Sequence, residues 1–196
     1  MNMRADINFL FEMGTLRHVR RTWNQFGGLS MANDAEHTFR VAVLAWLIAE
    51  REGVDTNQVL KMAIVHDMTE IRTGDVNMVS RLYAVRKEEE AINDQTEEVA
   101  MQDEMRALWR ECEERKTKAA KIVKDADNLD IELELMESMA RGEVFSRALQ
   151  KKREAIRDKL FTKTAKQLFD EIRVADPNEW VLEGKNRFTH GDWKKK

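Results

Sequence analysis

Residues that interrupt helices are scarce in this chain, and that scarcity limits the folds it can adopt more than any other feature. The 196 residues include 8 Gly and 1 Pro, whereas average usage would give roughly 23 such residues at this length. Few breakers allow few tight turns, and a charged fraction of 35% is typical of long helices with a solvated face. A β-sandwich and a collagen-like chain are therefore excluded, and a doubly wound sheet is disfavoured. We predict an all-α, single-domain helical bundle.

Charge balance and cysteine content indicate the cellular compartment of this chain and the partners it does not bind. Lys and Arg total 33 and Asp and Glu total 36, so the net charge is −3, which gives no electrostatic footprint for duplex nucleic acid. With Cys112 as its one cysteine the chain forms no internal disulfide, as expected in a reducing compartment. Its longest apolar run, residues 41–49, is far shorter than the roughly 20 residues that span a bilayer, and we see no signal-peptide pattern. We predict a cytoplasmic protein that binds neither membranes nor duplex nucleic acid.

Apolar periodicity and capping residues divide the chain into helices. Asn33 and Glu36 form a capping-box pattern before a helix that is apolar nearly all round, which predicts a position in the middle of the bundle. The predicted helices cover residues 7–19, 34–50, 56–71, 80–115, 118–139 and 153–173. One helical domain thus spans residues 1–176, and residues 177–196 are predicted to be an irregular, exposed tail.

Four polar positions stand among strongly apolar neighbours on the predicted helices: His37, the pair His66 and Asp67, and Asp127. Buried imidazoles and carboxylates need a partner that satisfies them. Two imidazoles and two carboxylates suit a divalent ion that keeps positions for water, and at about 100° per residue Glu70 shares one arc with His66 and Asp67. Each signal also has an ordinary alternative, because a buried histidine is often a satisfied core residue and Asp127 lies in an acidic stretch that a solvated helix face would also show.

Longer motifs surround these polar residues. They read EHTFRVA (residues 36–42), HDMTEIRTGD (residues 66–75) and VKDADNL (residues 123–129), and FEMGTLRHV (residues 11–19) precedes them. Together they resemble the HD-domain metal-dependent phosphohydrolases, in particular the branch that contains the bacterial 5′-deoxynucleotidases and related eukaryotic and archaeal proteins. The resemblance covers roughly the first 140 residues, and its HD…E…TGD segment is the most specific part.

The resemblance implies one bound divalent metal ion, held by His37, His66, Asp67 and Asp127. The identity of the ion stays open among Co, Mn, Ni, Fe, Mg and Zn. Glu70 matches the acidic catalytic position of the family, where a carboxylate could orient the attacking water or protonate the leaving oxygen. The alternative for Glu70 is an ordinary acid on a helix surface.

Substrate contacts are expected from the basic and aromatic residues near these motifs. Arg20 or Arg21 would bind phosphoryl oxygens in a bidentate manner, and the variable spacing to Trp23 in the family does not separate the two. Trp23 would stack on a base, or it packs in a loop or core. Asp75 matches the TGD loop of the family, where an acid can accept from a sugar hydroxyl, or it caps that loop. Lys124 would contact phosphate or neutralise the acidic cluster.

Three functions follow as hypotheses. The leading one is a mononuclear phosphohydrolase that removes the 5′-phosphate from (deoxy)nucleoside monophosphates. The second is a (deoxy)nucleoside triphosphate triphosphohydrolase, for which Arg72, Arg81 and Lys124 are candidate extra cations, and the third is a non-catalytic helical interaction module. Only His18 and His190 remain outside the cluster, which favours one metal ion over a dinuclear site. The resemblance also implies a nucleotide substrate and a homodimer.

Overall fold

A computed structural model describes residues 2–26 and 30–183, and within them the chain is a bundle of helices without a β-strand. The all-α prediction is confirmed. The α-helices are α1 (Met3–Met13), α2 (Asp34–Glu52), α3 (Thr56–Val65), α4 (Glu70–Thr73), α5 (Glu88–Gln95), α6 (Gln102–Glu114), α7 (Lys118–Ala140), α8 (Val144–Lys152), α9 (Ile156–Lys159), α10 (Lys163–Ile172) and α11 (Glu179–Leu182). Short 3₁₀ segments lie at Gly14–His18, Thr22–Gln25, Ser80–Leu82 and Arg153–Ala155. No helix in the described part of the chain is long and apolar enough to cross a membrane.

Helices α2, α3 and α7 form the centre of the bundle. The start of α2 confirms the predicted capping box, since Asn33 accepts from the backbone N–H of Glu36 and the Glu36 carboxylate accepts from the backbone N–H of Asn33. The helix ends at Gly53, whose φ of 64° is left-handed, a conformation that glycine adopts without the steric penalty of a Cβ. The apolar side chains that these three helices bury in the common core include Val41, Ala45, Ile48, Val59, Met62, Ile122, Val123 and Leu129.

Helix α2 lies at the centre of the bundle, as predicted, but one of its faces is exposed. Phe39 is 72% exposed, and Val43, Trp46 and Leu47 are 48%, 49% and 40% exposed. These four residues, at positions i, i+4, i+7 and i+8, form one apolar stripe along the helix, which we call the α2 stripe. The bundle covers only the opposite face of α2, where α3, α7 and α10 pack.

The region predicted as a single helix over residues 80–115 contains two helices, α5 and α6, after a 3₁₀ turn. The connection between them includes Glu98, whose backbone is left-handed with a φ of 60°. A left-handed residue cannot continue a right-handed helix. The chain therefore turns here, and the turn lets Val99 enter the core, where it is buried.

The helix predicted over residues 153–173 is also interrupted. Asp125 of α7 accepts from the backbone N–H of Phe161 and from the backbone N–H and hydroxyl of Thr162, each at 2.8 Å. These bonds hold an extended segment against α7, and Thr162 then caps the start of α10. Helix α8 occupies a stretch for which the sequence predicts no helix.

The segment 177–196, predicted to be irregular, begins with the single turn of α11. Pro177 and Asn178 precede this turn, and both residue types are common where helices start. The rest of that prediction, residues 184–196, lies outside the described residues.

Candidate metal centre and substrate cavity

Three helices bring the expected metal ligands to one point. His37 lies near the start of α2, and Asp127 lies on α7. His66 and Asp67 follow α3, which ends at Val65, earlier than predicted. Ligand atoms of His37, His66 and Asp127 all lie within 4.8 Å of one another. The Oδ2 atom of Asp67 lies 3.1 Å from Nε2 of His66 and 3.4 Å from Nε2 of His37.

Both imidazoles present Nε2 to this point. Nδ1 of His66 lies 2.7 Å from the carbonyl oxygen of Ala63 and must donate, because a carbonyl oxygen only accepts. Nδ1 of His37 bonds to Oδ2 of Asp130 at 2.6 Å. The two Nε2 atoms are buried and, although carboxylate oxygens lie 3.1–3.4 Å away, neither forms a hydrogen bond of acceptable geometry with the described residues. Buried nitrogens without a partner are costly, and Nε2 of a histidine whose Nδ1–H is bonded is a common metal ligand. These residues therefore fit one divalent ion.

The charges of the cluster support one another. Burial disfavours a proton on His37, but its contacts with Asp127, Asp130 and Asp67 prevail and raise its pKa well above the ordinary value. Burial likewise disfavours ionisation of Asp67 and Asp127. Even so, His66 and His37 hold the pKa of Asp67 well below the usual range, and Lys124 and His37 do the same for the pKa of Asp127. The carboxylates are therefore charged at neutral pH, as metal ligands need to be.

A polar cavity of about 380 Å³ opens beside these ligands, a volume within the range of small-molecule sites. Other cavities in the described part of the chain, of about 500, 610 and 680 Å³, are lined by none of the four expected metal ligands. The expected site residues that line the cavity beside the ligands are Arg21, Trp23, His66, Asp67, Glu70, Asp75, Lys124 and Asp127.

The structure separates Arg20 from Arg21. Arg21 is buried, and its Nη1 lies 3.6 Å from Oδ2 of Asp67 and 3.8 Å from Oδ1 of Asp34. Arg20 is exposed and lines a different cavity. Its backbone pairs with Asn33 in an isolated bridge, and adjacent side chains of an extended segment point to opposite sides. Of the two arginines, only Arg21 lies beside the expected metal ligands.

Glu70 lines the cavity at the start of α4. Its Oε1 accepts from Nη1 of Arg86 at 2.8 Å, and its Oε2 is buried without a hydrogen-bond partner among the described residues. Burial and the carboxylates of Asp67 and Asp75 outweigh the opposing charge of Arg21 and raise the pKa of Glu70 to about 10. In the ion-free site at neutral pH, Glu70 therefore carries a proton.

The other three expected substrate contacts also make contacts within the protein. Trp23 is half-buried and packs against a small apolar cluster on α7 and α8. Asp75 accepts through Oδ2 from the backbone N–H of Thr22 at 2.7 Å and from its hydroxyl at 3.1 Å. Lys124 forms an ion pair with Asp127. Of the cations considered for a triphosphate, Arg81 and Lys124 line the cavity, whereas Arg72 pairs with a glutamate of α1.

Sequence reasoning missed several charged residues of the cavity. Arg153 is nearly buried and donates to Oε1 of Glu132 at 2.6 Å and to the carbonyl oxygen of Asn128 at 3.1 Å. Asp34 does not line the cavity but lies 3.8 Å from Arg21 and is fully buried; an acid in the first turn of a helix is common and gives no signal in the sequence. Further charged residues of the lining that the sequence did not single out are Arg86, Glu88, Glu113 and Arg115.

The structure thus brings imidazoles and carboxylates from α2, α7 and the segment after α3 together beside a polar cavity, an arrangement typical of metal-dependent enzymes of the all-α class. A family model described as "HD domain" matches residues 13–169. The chain belongs to the HD-domain family.

Relatives from several organisms agree with this membership. A 5′-deoxynucleotidase of Bos taurus is 32% identical over 140 residues, which cover 68% of this chain and 68% of the relative. A 5′-deoxynucleotidase of Schizosaccharomyces pombe is 29% identical over 141 residues, 67% of this chain and 71% of the relative. A solved structure described as a predicted metal-dependent phosphohydrolase from Magnetospirillum magnetotacticum superposes with a TM-score of 0.68 at 26% identity, over 87% of this chain and 94% of that one. These names confirm the expectation of a metal-dependent hydrolase.

Proposed function

We propose that this protein hydrolyses the 5′-phosphate of (deoxy)nucleoside monophosphates with one divalent metal ion. The observation that carries the proposal is the pair of buried, unpartnered Nε2 atoms of His37 and His66, set beside a cavity that also contains Arg21 and Glu70. This arrangement supplies an ion site, a phosphate-binding cation and a proton donor within one space. The 5′-deoxynucleotidases among the relatives support the choice of substrate.

The metal site in this proposal consists of His37, His66, Asp67 and Asp127. A divalent ion held there supplies Lewis acidity, which polarises phosphoryl oxygens and makes water a nucleophile near neutral pH. Mixed nitrogen and oxygen ligands accept Mn, Co, Ni, Fe, Mg or Zn. These four residues therefore do not determine which of these ions binds. Asp67 and Asp127 are charged before binding, and they offset the charge of the ion.

Arg21 and Glu70 act on the phosphate in this proposal. The guanidinium of Arg21 lies 3.6 Å from the carboxylate of Asp67, which places its donors next to the metal ligands, where a phosphoryl group would bind in a bidentate manner. In the ion-free protein the raised pKa of Glu70 leaves a proton on its carboxyl at neutral pH. We assign to Glu70 the donation of a proton to the leaving 5′-oxygen of the nucleoside, a role that is typically worth about 10²–10⁴ in rate.

Trp23, Asp75 and Lys124 contact the nucleotide in this proposal. Asp75 binds Thr22 through Oδ2, and we assign its Oδ1 to a sugar hydroxyl. Trp23 is half-buried at the cavity wall, so its exposed part is available to stack on a base. Lys124 shares its charge between Asp127 and the phosphate.

The test is product analysis with Mn²⁺ or Co²⁺ on a panel of nucleoside mono- and triphosphates. We expect inorganic phosphate from deoxynucleoside monophosphates, loss of activity in His66→Ala and Asp67→Ala, and full activity in the control His18→Ala, because His18 is exposed and lines another cavity. Tripolyphosphate from triphosphates would replace the proposal with a triphosphohydrolase. No product from any nucleotide, with the wild type equal to both variants, would favour the interaction module.

We also propose that the chain acts as a homodimer in the cytoplasm, with the HD domain over residues 1–176 and without affinity for duplex nucleic acid. The α2 stripe supports the dimer, because contiguous apolar patches on a protein surface often mark interfaces. Light scattering of the wild type and of Trp46→Lys tests it. We expect a dimeric mass for the wild type and a monomeric mass for the variant, and a monomeric wild type would contradict the proposal.

A further inference from the structure

A buried chain of three side chains runs from the surface to the metal site: Arg40, Asp130 and His37. We propose that Asp130, held in place by Arg40, is the positioning residue that directs Nε2 of His37 to the metal ion. The inference rests on the metal site of the proposed function, and none of the motifs quoted from the sequence points to a role for Asp130.

Hydrogen bonds to both carboxylate oxygens fix the side chain of Asp130. His37 and Asp130 are both fully buried, and Nδ1 of His37 lies 2.6 Å from Oδ2 of Asp130. The other oxygen, Oδ1, accepts from Nε of Arg40. Arg40 is itself fixed from a second side, since its Nη1 donates to Glu137 at 2.6 Å. Each oxygen of Asp130 thus faces a donor.

This arrangement determines which nitrogen of His37 carries the proton when the ion is bound. A charged carboxylate only accepts hydrogen bonds, so the ring donates from Nδ1 and turns the lone pair of Nε2 to the other side. There Nε2 lies 3.4 Å from both Asp67 and Asp127. His66 obtains the same orientation from the carbonyl oxygen of Ala63, a backbone group that the helix itself holds in place. The orienting group of His37 is a side chain, so substitution can test it.

Asparagine at position 130 keeps the shape of the side chain but offers one acceptor oxygen to two donors. If that oxygen faces Arg40, the amide NH₂ faces Nδ1 of His37 and favours the tautomer with hydrogen on Nε2, where the ion should bind. If the oxygen faces His37, the NH₂ faces the guanidinium of Arg40, and the hydrogen bond that Arg40 donates to residue 130 is lost. Both arrangements weaken the hold on His37.

The experiment compares wild type, Asp130→Asn and the matched control Glu134→Gln, which changes a carboxyl one turn further along α7. Glu134 accepts from the backbone N–H of Ala32 and lies 3.8 Å from Nη2 of Arg40, but it has no hydrogen bond to His37. Calorimetric titration with Mn²⁺ alone measures metal affinity. We expect the dissociation constant of Asp130→Asn to rise about 10- to 100-fold, the typical effect of losing a partner of a metal-bound histidine. Glu134→Gln should bind Mn²⁺ as the wild type does.

A second readout reports the hydrogen bond itself. In ¹⁵N-resolved NMR spectra of the Zn²⁺-loaded protein, the Nδ1 proton of His37 should be far downfield and slow to exchange in the wild type. In Asp130→Asn it should move upfield and exchange faster, which a general loss of stability does not explain. Unchanged Mn²⁺ affinity together with an unchanged Nδ1 proton in Asp130→Asn overturns the inference.

Two further outcomes have defined meanings. If Asp130→Asn does not fold, Arg40→Gln replaces it, because Arg40 is partly exposed and its substitution is better tolerated. Weaker Mn²⁺ binding by Arg40→Gln supports the role of Arg40 in holding Asp130, and wild-type affinity overturns the inference. If the wild type binds Mn²⁺ and Asp130→Asn binds it weakly, but no nucleotide is hydrolysed, the inference stands and the proposed function fails.

Discussion

In the proposed function the buried carboxyl of Glu70 acts in catalysis, and its burial lowers the stability of the fold. Replacing it with glutamine separates the two effects. In the ion-free protein the pKa of Glu70 is about 10, against 4.5 for an ordinary glutamate. Between these values the folded state holds a proton that the unfolded state releases, so the free energy of unfolding of the wild type falls as the pH rises through that window. Glutamine resembles the protonated side chain and does not titrate.

The size of the effect follows from the pKa values. A pH of 7 lies about 2.5 units above the ordinary pKa, and each unit corresponds to about 1.4 kcal/mol. Glu70→Gln should therefore be more stable than the wild type by about 3 kcal/mol at pH 7, and by little at pH 5. The oxygen of glutamine can still accept from Arg86, so that contact is kept. Activity should fall about 10²- to 10⁴-fold, because the transferable proton is lost.

Urea unfolding in EDTA at several pH values between 5 and 8 measures the stability difference, and phosphate release with Mn²⁺ measures activity. Glu113→Gln, an exposed residue that also lines the cavity, is the control and should change neither quantity appreciably. A stability difference between Glu70→Gln and wild type that stays constant from pH 5 to 8 would refute the reasoning about the Glu70 proton.

Three further substitutions test other parts of the structure. Arg21→Lys keeps the charge but removes the two-pronged donor, so kcat/KM for a deoxynucleoside monophosphate should fall about 10²- to 10³-fold in steady-state assays while the affinity for Mn²⁺ stays unchanged. Arg153→Met removes a partner from the fully buried carboxylate of Glu132 and should lower the free energy of unfolding by about 3 kcal/mol. The control Arg157→Met, at an exposed ion pair, should have little effect. Equal losses of stability in the two variants would contradict the stabilising role of the buried ion pair. Gly53→Ala forces a Cβ into a left-handed backbone with a φ of 64° and open space around it, so a loss of about 1 kcal/mol in urea unfolding should come from backbone strain alone.

The features that sequence predicted best are local ones. The capping box of Asn33 and Glu36 can be predicted from four consecutive residues, and it is present in the structure. His66 and Asp67 are adjacent in sequence, so their joint location follows once α3 is placed. The all-α class follows from the scarcity of breakers, which acts on the whole chain. These predictions needed no knowledge of how distant segments pack.

The features that sequence could not predict depend on distant contacts. Arg20 and Arg21 are separated only by the direction of a short extended segment, which a bridge to Asn33 sets. Arg153 is a cavity residue only because α7 supplies a buried carboxylate for it. The break before α10 likewise depends on Asp125, which lies more than thirty residues earlier in the chain. None of these relations leaves a periodic signal in the residues concerned.

Helix α7 uses three aspartates within six positions for three separate purposes. Asp125 holds the segment before α10, Asp127 lies beside His37 and His66 at the proposed metal site, and Asp130 bonds to His37. A single inserted or deleted residue inside this stretch would rotate everything beyond it by about 100° and break at least one of these relations. The three contacts therefore fix the length of this stretch of α7, and a change in chain length is compatible with them only in the loops outside it.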